Sequence, residues 1–184
     1  MSRTALVLMD FQQAHLSQMP GPFLSRAAFA LKSARAAAIP VIHVSLQLRD
    51  GHIDAHPRNK IFGSLPPHLF TAGDPGAALH PDVAPADGEI VLHKNRISAF
   101  AGNNLHQILA AQDIGHLVLA GISTAGIVLS TTLQAVDLDY RVTVLSDACA
   151  DPNPGLHDVL LTEVLTHRCD VITTDAWART LDTA

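Results

Sequence analysis

The sequence predicts a three-layer α/β/α domain built on a parallel sheet. Three observations carry this expectation. Six short aliphatic runs, at 5–9, 41–45, 89–92, 117–121, 142–145 and 171–174, recur along the chain. Several are almost continuously apolar and β-branched, as strands covered on both faces must be. Between them lie segments of helical pattern, at about 24–38, 103–112, 124–138 and 154–167. Strand and helix in alternation give parallel strands joined by right-handed crossovers.

The length of 184 residues suits one domain, 1–184, with a core that needs no metal or disulfide staple. Hydrophobic residues make up 48% and aromatics 4%, so Ala, Val, Ile and Leu must build that core. Charged residues are 16%, below the ~25% usual for soluble domains. So thin a charge coat suggests burial of some surface in a homo-oligomer, a dimer or tetramer. The net charge of −5 and the lack of a Lys/Arg cluster argue against nucleic acid and anionic membrane as partners. No apolar run is long enough to span a bilayer. The first apolar run stops at Asp10, too soon for a signal peptide, so a cytoplasmic protein with reduced thiols at Cys149 and Cys169 is expected.

Taken in order, run 5–9 ends at Asp10, and run 41–45 leads into a segment, 48–88, that breaks the rhythm. That segment has little periodicity, many Pro and Gly, and four of the eleven histidines, the marks of a functional loop or an oligomer contact. Run 89–92 is followed by Lys94. Run 117–121 enters a Gly-flanked turn, Gly121-Ile122-Ser123-Thr124-Ala125-Gly126-Ile127, and then a helix. Run 142–145 is followed by Asp147 and Asp151. Ligands of open parallel sheets gather beyond the carboxyl ends of the strands. An acid, a base and a strand-to-helix turn therefore converge at one rim. Taken singly, Asp10 reads as a helix cap and Lys94 as a solvated side chain; their coincidence points to chemistry.

These residues carry a resemblance. Ala5 through Gln12, Lys94 with Ser98-Ala99-Phe100, Leu117 through Thr124, and Tyr140 through Asp151 occur in the order and spacing of the isochorismatase-like hydrolases, the cysteine hydrolase superfamily. The resemblance implies a six-stranded parallel sheet of order 3-2-1-4-5-6. In the amidase members it implies an Asp-Lys-Cys triad in which a thiolate attacks an amide carbonyl at a helix N-terminus. Asp10 and Lys94 match the first two members, and a cis peptide would fall between Ile122 and Ser123. The nucleophile position falls on Ile127, which has no nucleophilic atom. Cys149 reads as a small buried hydrophobe. Ser123, Thr124 and Ser130 have no neighbouring His in sequence to act as base.

Isochorismatases proper also lack the cysteine: an aspartic acid protonates the vinyl ether and water attacks the cation. Asp10 could serve so if burial raises its pKa. Asp50-Gly51-His52 with His56 resembles the zinc-holding element of nicotinamidases, but His56 stands too close and no aromatic residue follows Asp50. No metal or cofactor is expected. Two readings stay open. In one, a hydrolase acts on a small, partly apolar molecule without a cysteine nucleophile. Asp10 is its general acid or base and Lys94 its electrostatic partner, with substrate contacts from Phe11, Gln12, Phe100, Ile122, Ser123 and Thr124 and a carboxylate clamp from Arg58. In the other, a catalytically degenerate member binds a small ligand or scaffolds an oligomer.

Overall fold

The computed structural model describes residues 3–17 and 19–181; the outermost residues of the expected 1–184 domain lie outside that description. Its strands are β1 (Arg3–Met9), β2 (Val41–Leu46), β3 (Ile90–Lys94), β4 (Ile114–Ile122), β5 (Arg141–Ala150) and β6 (Asp170–Ile172). All pairings are parallel, in the order β3-β2-β1-β4-β5-β6. The helices are α1 (Gln13–Leu16), α2 (Phe23–Ala36), α3 (Leu105–Ala111), α4 (Leu129–Asp137), α5 (Pro154–Val159) and α6 (Thr174–Leu181). None among the described residues is long and apolar enough to cross a membrane.

The two-residue period of a strand divides the core into layers. Along β1, Ala5, Val7 and Met9 enter one cluster with Leu105, Leu109, Ala135 and Leu161. Leu6 and Leu8 enter the other, with Ala27, Ala30, Leu31, Ala34 and Trp177. Helices α3 and α4 thus cover one face, and α2 and α6 the other. Ala27, Ala30, Leu31 and Ala34 are the buried stripe of α2, at the spacing an amphipathic helix needs. A third cluster, Leu46, Leu48, Phe62 and Phe70, folds the irregular 48–88 segment down onto the end of β2.

Local structure departs from the expectation in three places. Strand β5 continues to Ala150 rather than ending with its aliphatic run, and its pairing with β4 shifts between Leu119 and Gly121. Asp147 therefore lies within the strand instead of at the rim. Its Oδ1 accepts hydrogen bonds from the Thr174 amide and hydroxyl, both at 2.7 Å, and so starts α6. Helix 124–138 opens with a π-turn, Thr124–Val128, and segment 154–167 breaks into α5, a second π-turn and a 3-10 turn. The short helices α1 and α6 had no sequence expectation. At the centre, a Cβ on Gly121 would lie 2.8 Å from the Met9 carbonyl oxygen, so glycine is what lets β4 close on the end of β1.

Edge strand β3 must be held in register, because its last residue is Lys94. Glu89, just before it, receives Arg35 Nε at 2.7 Å and the Ala86 amide at 2.9 Å, and it pairs with His43 Nε2 at 2.9 Å. These bonds tie α2 and β2 to the start of β3. The Arg35 guanidinium holds the Glu89 carboxyl at about 2, below its ordinary 4.5. A depressed acid contributes stability that is present above its unfolded value and lost as pH falls through the folded one. Urea unfolding between pH 4.5 and 2 is therefore expected to show a steeper loss of stability for the native protein than for Glu89→Gln. Parallel curves would mean the cluster adds nothing.

Candidate active site

Asp10 follows β1 and takes a left-handed backbone conformation, φ 60°, which Asp tolerates better than most residues. Its amide donates to the Val44 carbonyl at 2.9 Å. Its Oδ2 receives Lys94 Nζ at 2.9 Å, with the two side chains only 6% and 2% exposed. Lys94 Nζ donates again to the Arg96 carbonyl at 3.0 Å. Register brings the lysine there, since Lys94 stands opposite Leu46 on β2. Gln12 locks that level: its Nε2 donates to the Leu46 and Ala77 carbonyls, and its Oε1 accepts from the Leu46 amide.

Beside the pair lies a cavity of about 320 Å³. Asp10, His15, Lys94 and Ser123 are its chief polar side chains, and its walls include Phe62, Phe70, Ile97, Ile122 and Ile127. Two buried polar atoms of these side chains have no hydrogen-bond partner, Asp10 Oδ1 and His15 Nε2. Buried polar groups are nearly always paired, so two unpaired atoms on one cavity set it apart from the rest of the core. Burial pushes the Asp10 carboxyl above its ordinary 3.8, with Lys94 and then His15 pulling the other way. Burial also lowers His15 below 6.5, against the pull of Asp10.

The strand-to-helix turn forms the far wall. The Ile122–Ser123 peptide is cis, and Ser123 Oγ accepts from the Gly126 amide at 3.2 Å. Ile127 lines the cavity with Asp10 and Lys94. Asp10, Lys94, Ile122, Ser123 and Ile127 therefore come together, whereas five expected substrate contacts lie elsewhere. Phe11 packs in the cluster of Leu6 and Leu8 and stacks on Phe23 at 6.4 Å. Phe100 packs in the core against Tyr140. Gln12 spends its amide on the backbone, and Arg58 is exposed on the loop. Thr124 is fully buried behind the turn, and its hydroxyl does have a histidine partner, His157 Nδ1 at 2.8 Å.

His15 had no place in the sequence reading. It sits on α1, past the residues adjoining the strand end, and stacks on Phe70 of the long segment at 4.6 Å between centroids. A histidine following a strand-end Asp on one short turn was its only sequence signal. Farther out, His52 Nε2 donates to the Leu69 carbonyl at 2.8 Å and His56 is exposed. Among the described residues no group of three His, Cys, Asp or Glu side chains could hold a metal ion. Cys149 and Cys169 are both free thiols, pushed up by burial to about 12 and about 11.

A family model described as the Isochorismatase domain matches residues 4–176. The N-carbamoylsarcosine amidase of Arthrobacter is 30% identical, over 82% of this chain; the match spans 58% of the amidase's own length. A ureidoacrylate amidohydrolase of Caulobacter vibrioides is 31% identical, over 82% of this chain and 78% of its own. An isochorismatase family protein from Desulfovibrio vulgaris superposes with a TM-score of 0.88 at 28% identity, covering 99% of this chain and all of its own.

Two measurements probe this geometry. Asp10→Ala leaves a buried Lys94 ammonium without its carboxylate and is expected to lower unfolding free energy by ~3–5 kcal/mol in chemical denaturation; an unchanged midpoint would contradict burial of the pair. Ile127→Cys places a thiol at a helix start near Lys94, where a thiolate is favoured. It is expected to react with iodoacetamide at least ~10-fold faster than Cys149 or Cys169. Equal rates at all three would mean the turn no longer activates a nucleophile.

Proposed function

The chain belongs to the isochorismatase family, and from that footing we propose that it hydrolyses a small, partly apolar molecule by direct attack of water. Asp10 is the general acid and base, Lys94 its electrostatic partner, and no covalent intermediate forms. The observation that carries this reading is the orphaned Asp10 Oδ1, buried on a cavity that Ile127 also lines, the residue on which the sequence resemblance puts the nucleophile position. Asp10 Oδ2 is held by Lys94, so Oδ1 is the oxygen left for chemistry. A raised carboxyl pKa suits an acid that protonates the departing atom and recovers its proton from the attacking water. The Lys94 ammonium offsets the negative charge left behind, at low dielectric where that interaction is strong.

Similarity to an amidase and an amidohydrolase makes the C–N bond of an amide or ureido group the first bond to test. The cavity volume of about 320 Å³ and its apolar walls favour a compact substrate with one polar head. The thin charge coat, together with exposed Ile53, Ile61, Leu156 and Val159, supports a homo-oligomer. A second reading, ligand binding without turnover, is favoured by the bulk of Ile127 alone.

Turnover of the native protein and Asp10→Asn against one panel of small amides, ureido acids, imides and vinyl ethers, isochorismate included, separates them. Hydrolysis that falls by about 10²-fold or more in the variant is expected for a general acid/base. Equal rates would remove Asp10 from the chemistry. If neither protein turns over any member, the binding reading replaces this one.

A further inference from the structure

The hydrolytic reading leaves one half-buried group of the cavity, His15, unused. His15 Nε2 is shielded from solvent and has no hydrogen-bond partner, and neither has Asp10 Oδ1. Both residues line the same cavity with Lys94, and the two orphaned atoms do not bond to each other. The imidazole ring lies against Phe70 at 4.6 Å with 22° between planes. An imidazole nitrogen left unpaired away from solvent is unfavourable, so a structural role for the ring accounts for the stacking and not for the nitrogen.

We propose that His15 is a second catalytic residue of this site, the base that takes the proton of the attacking water while Asp10 supplies the proton to the leaving atom. The inference rests on the hydrolytic reading above and adds a division of labour to it. For an amide or ureido substrate the neutral Nε2 accepts a proton from water as the water oxygen forms its bond to the carbonyl carbon, and the π electrons move to the carbonyl oxygen. On collapse the C–N bond breaks, its electron pair leaves with nitrogen, and Asp10 gives that nitrogen its proton. The proton on His15 then passes to Asp10, which restores both groups; the sum is one water consumed and one C–N bond cleaved. The charged groups that act on His15 are Asp10, at the end of β1, and Lys94, at the end of β3. Burial and Lys94 disfavour imidazolium, which keeps Nε2 available as a base, while Asp10 opposes them.

The test measures kcat/KM from pH 5 to 9 for the native protein, His15→Gln, His15→Ala and Asp10→Asn, on whichever member of the amide and ureido panel the native protein hydrolyses fastest. His15→Gln is expected to lose about 10²-fold in kcat and the acid limb of the profile, and His15→Ala to recover activity when imidazole is added. If Asp10→Asn is inactive but His15→Gln stays within about threefold of native with its acid limb in place, this inference fails and the Asp10 reading stands. A loss in His15→Ala that imidazole does not restore, accompanied by a lowered melting temperature, assigns the ring to packing and also overturns it. A native protein inert toward the whole panel removes the hydrolytic reading and this inference together.

Discussion

The buried ion pair between Asp10 and Lys94 is the constraint on which the rest of the site depends. The two charges stand at the ends of strands that are not neighbours, because β2 lies between β1 and β3. Withdrawing each ion from water costs several kcal/mol, so such a pair persists only where its geometry is imposed from outside. The surrounding bonds impose it. The Asp10 amide is fixed on Val44, Leu46 stands opposite Lys94, and Gln12 clasps Leu46 to Ala77. At the other end of β3, Glu89 with Arg35 and His43 sets the level at which the strand begins. Much of the polar structure around the sheet's left half thus serves the placement of one carboxylate and one ammonium.

The walls give that pair its character. The long segment between β2 and β3 has only short 3-10 turns, yet Phe62 and Phe70 anchor it in an apolar cluster of its own and also line the cavity. Ile122 and Ile127 close the opposite side. In such surroundings burial pushes the Asp10 carboxyl up and the His15 imidazole down, while the Lys94 ammonium pulls the carboxyl back. Ile127, whose side chain has no nucleophilic atom, lines the cavity with Asp10 and Lys94. Both orphaned atoms of the cavity, Asp10 Oδ1 and His15 Nε2, belong to groups that can carry a proton.

The frame of the fold was legible in the sequence because strands covered on both faces write themselves as unbroken aliphatic runs. Asp10 and Lys94 were legible too, since each adjoins the carboxyl end of such a run. What failed to show depends on directions and distances that no local pattern encodes. Phe11, next to Asp10, packs in the cluster of Leu6 and Leu8 and stacks on Phe23. Phe100 is claimed by Tyr140, and Thr124 by a histidine far along the chain, His157. His15 reaches the cavity only because four residues wind into α1 directly after the strand, a helix too short to announce itself by periodicity. The run at 142–145 understated β5, whose continuation carries Ser146, which donates to the Ile172 carbonyl of β6, and Asp147, which starts α6.

Hydrolysis without a covalent intermediate is the central claim, and intact-protein mass spectrometry after acid quenching during turnover of an amide or ureido substrate tests it most directly. Product should accumulate while the protein mass stays at that of the unmodified chain throughout. A quenched species heavier by the acyl portion of the substrate, mapped to Ser123, Thr124 or Cys149, would contradict direct attack by water and restore a nucleophile to the site.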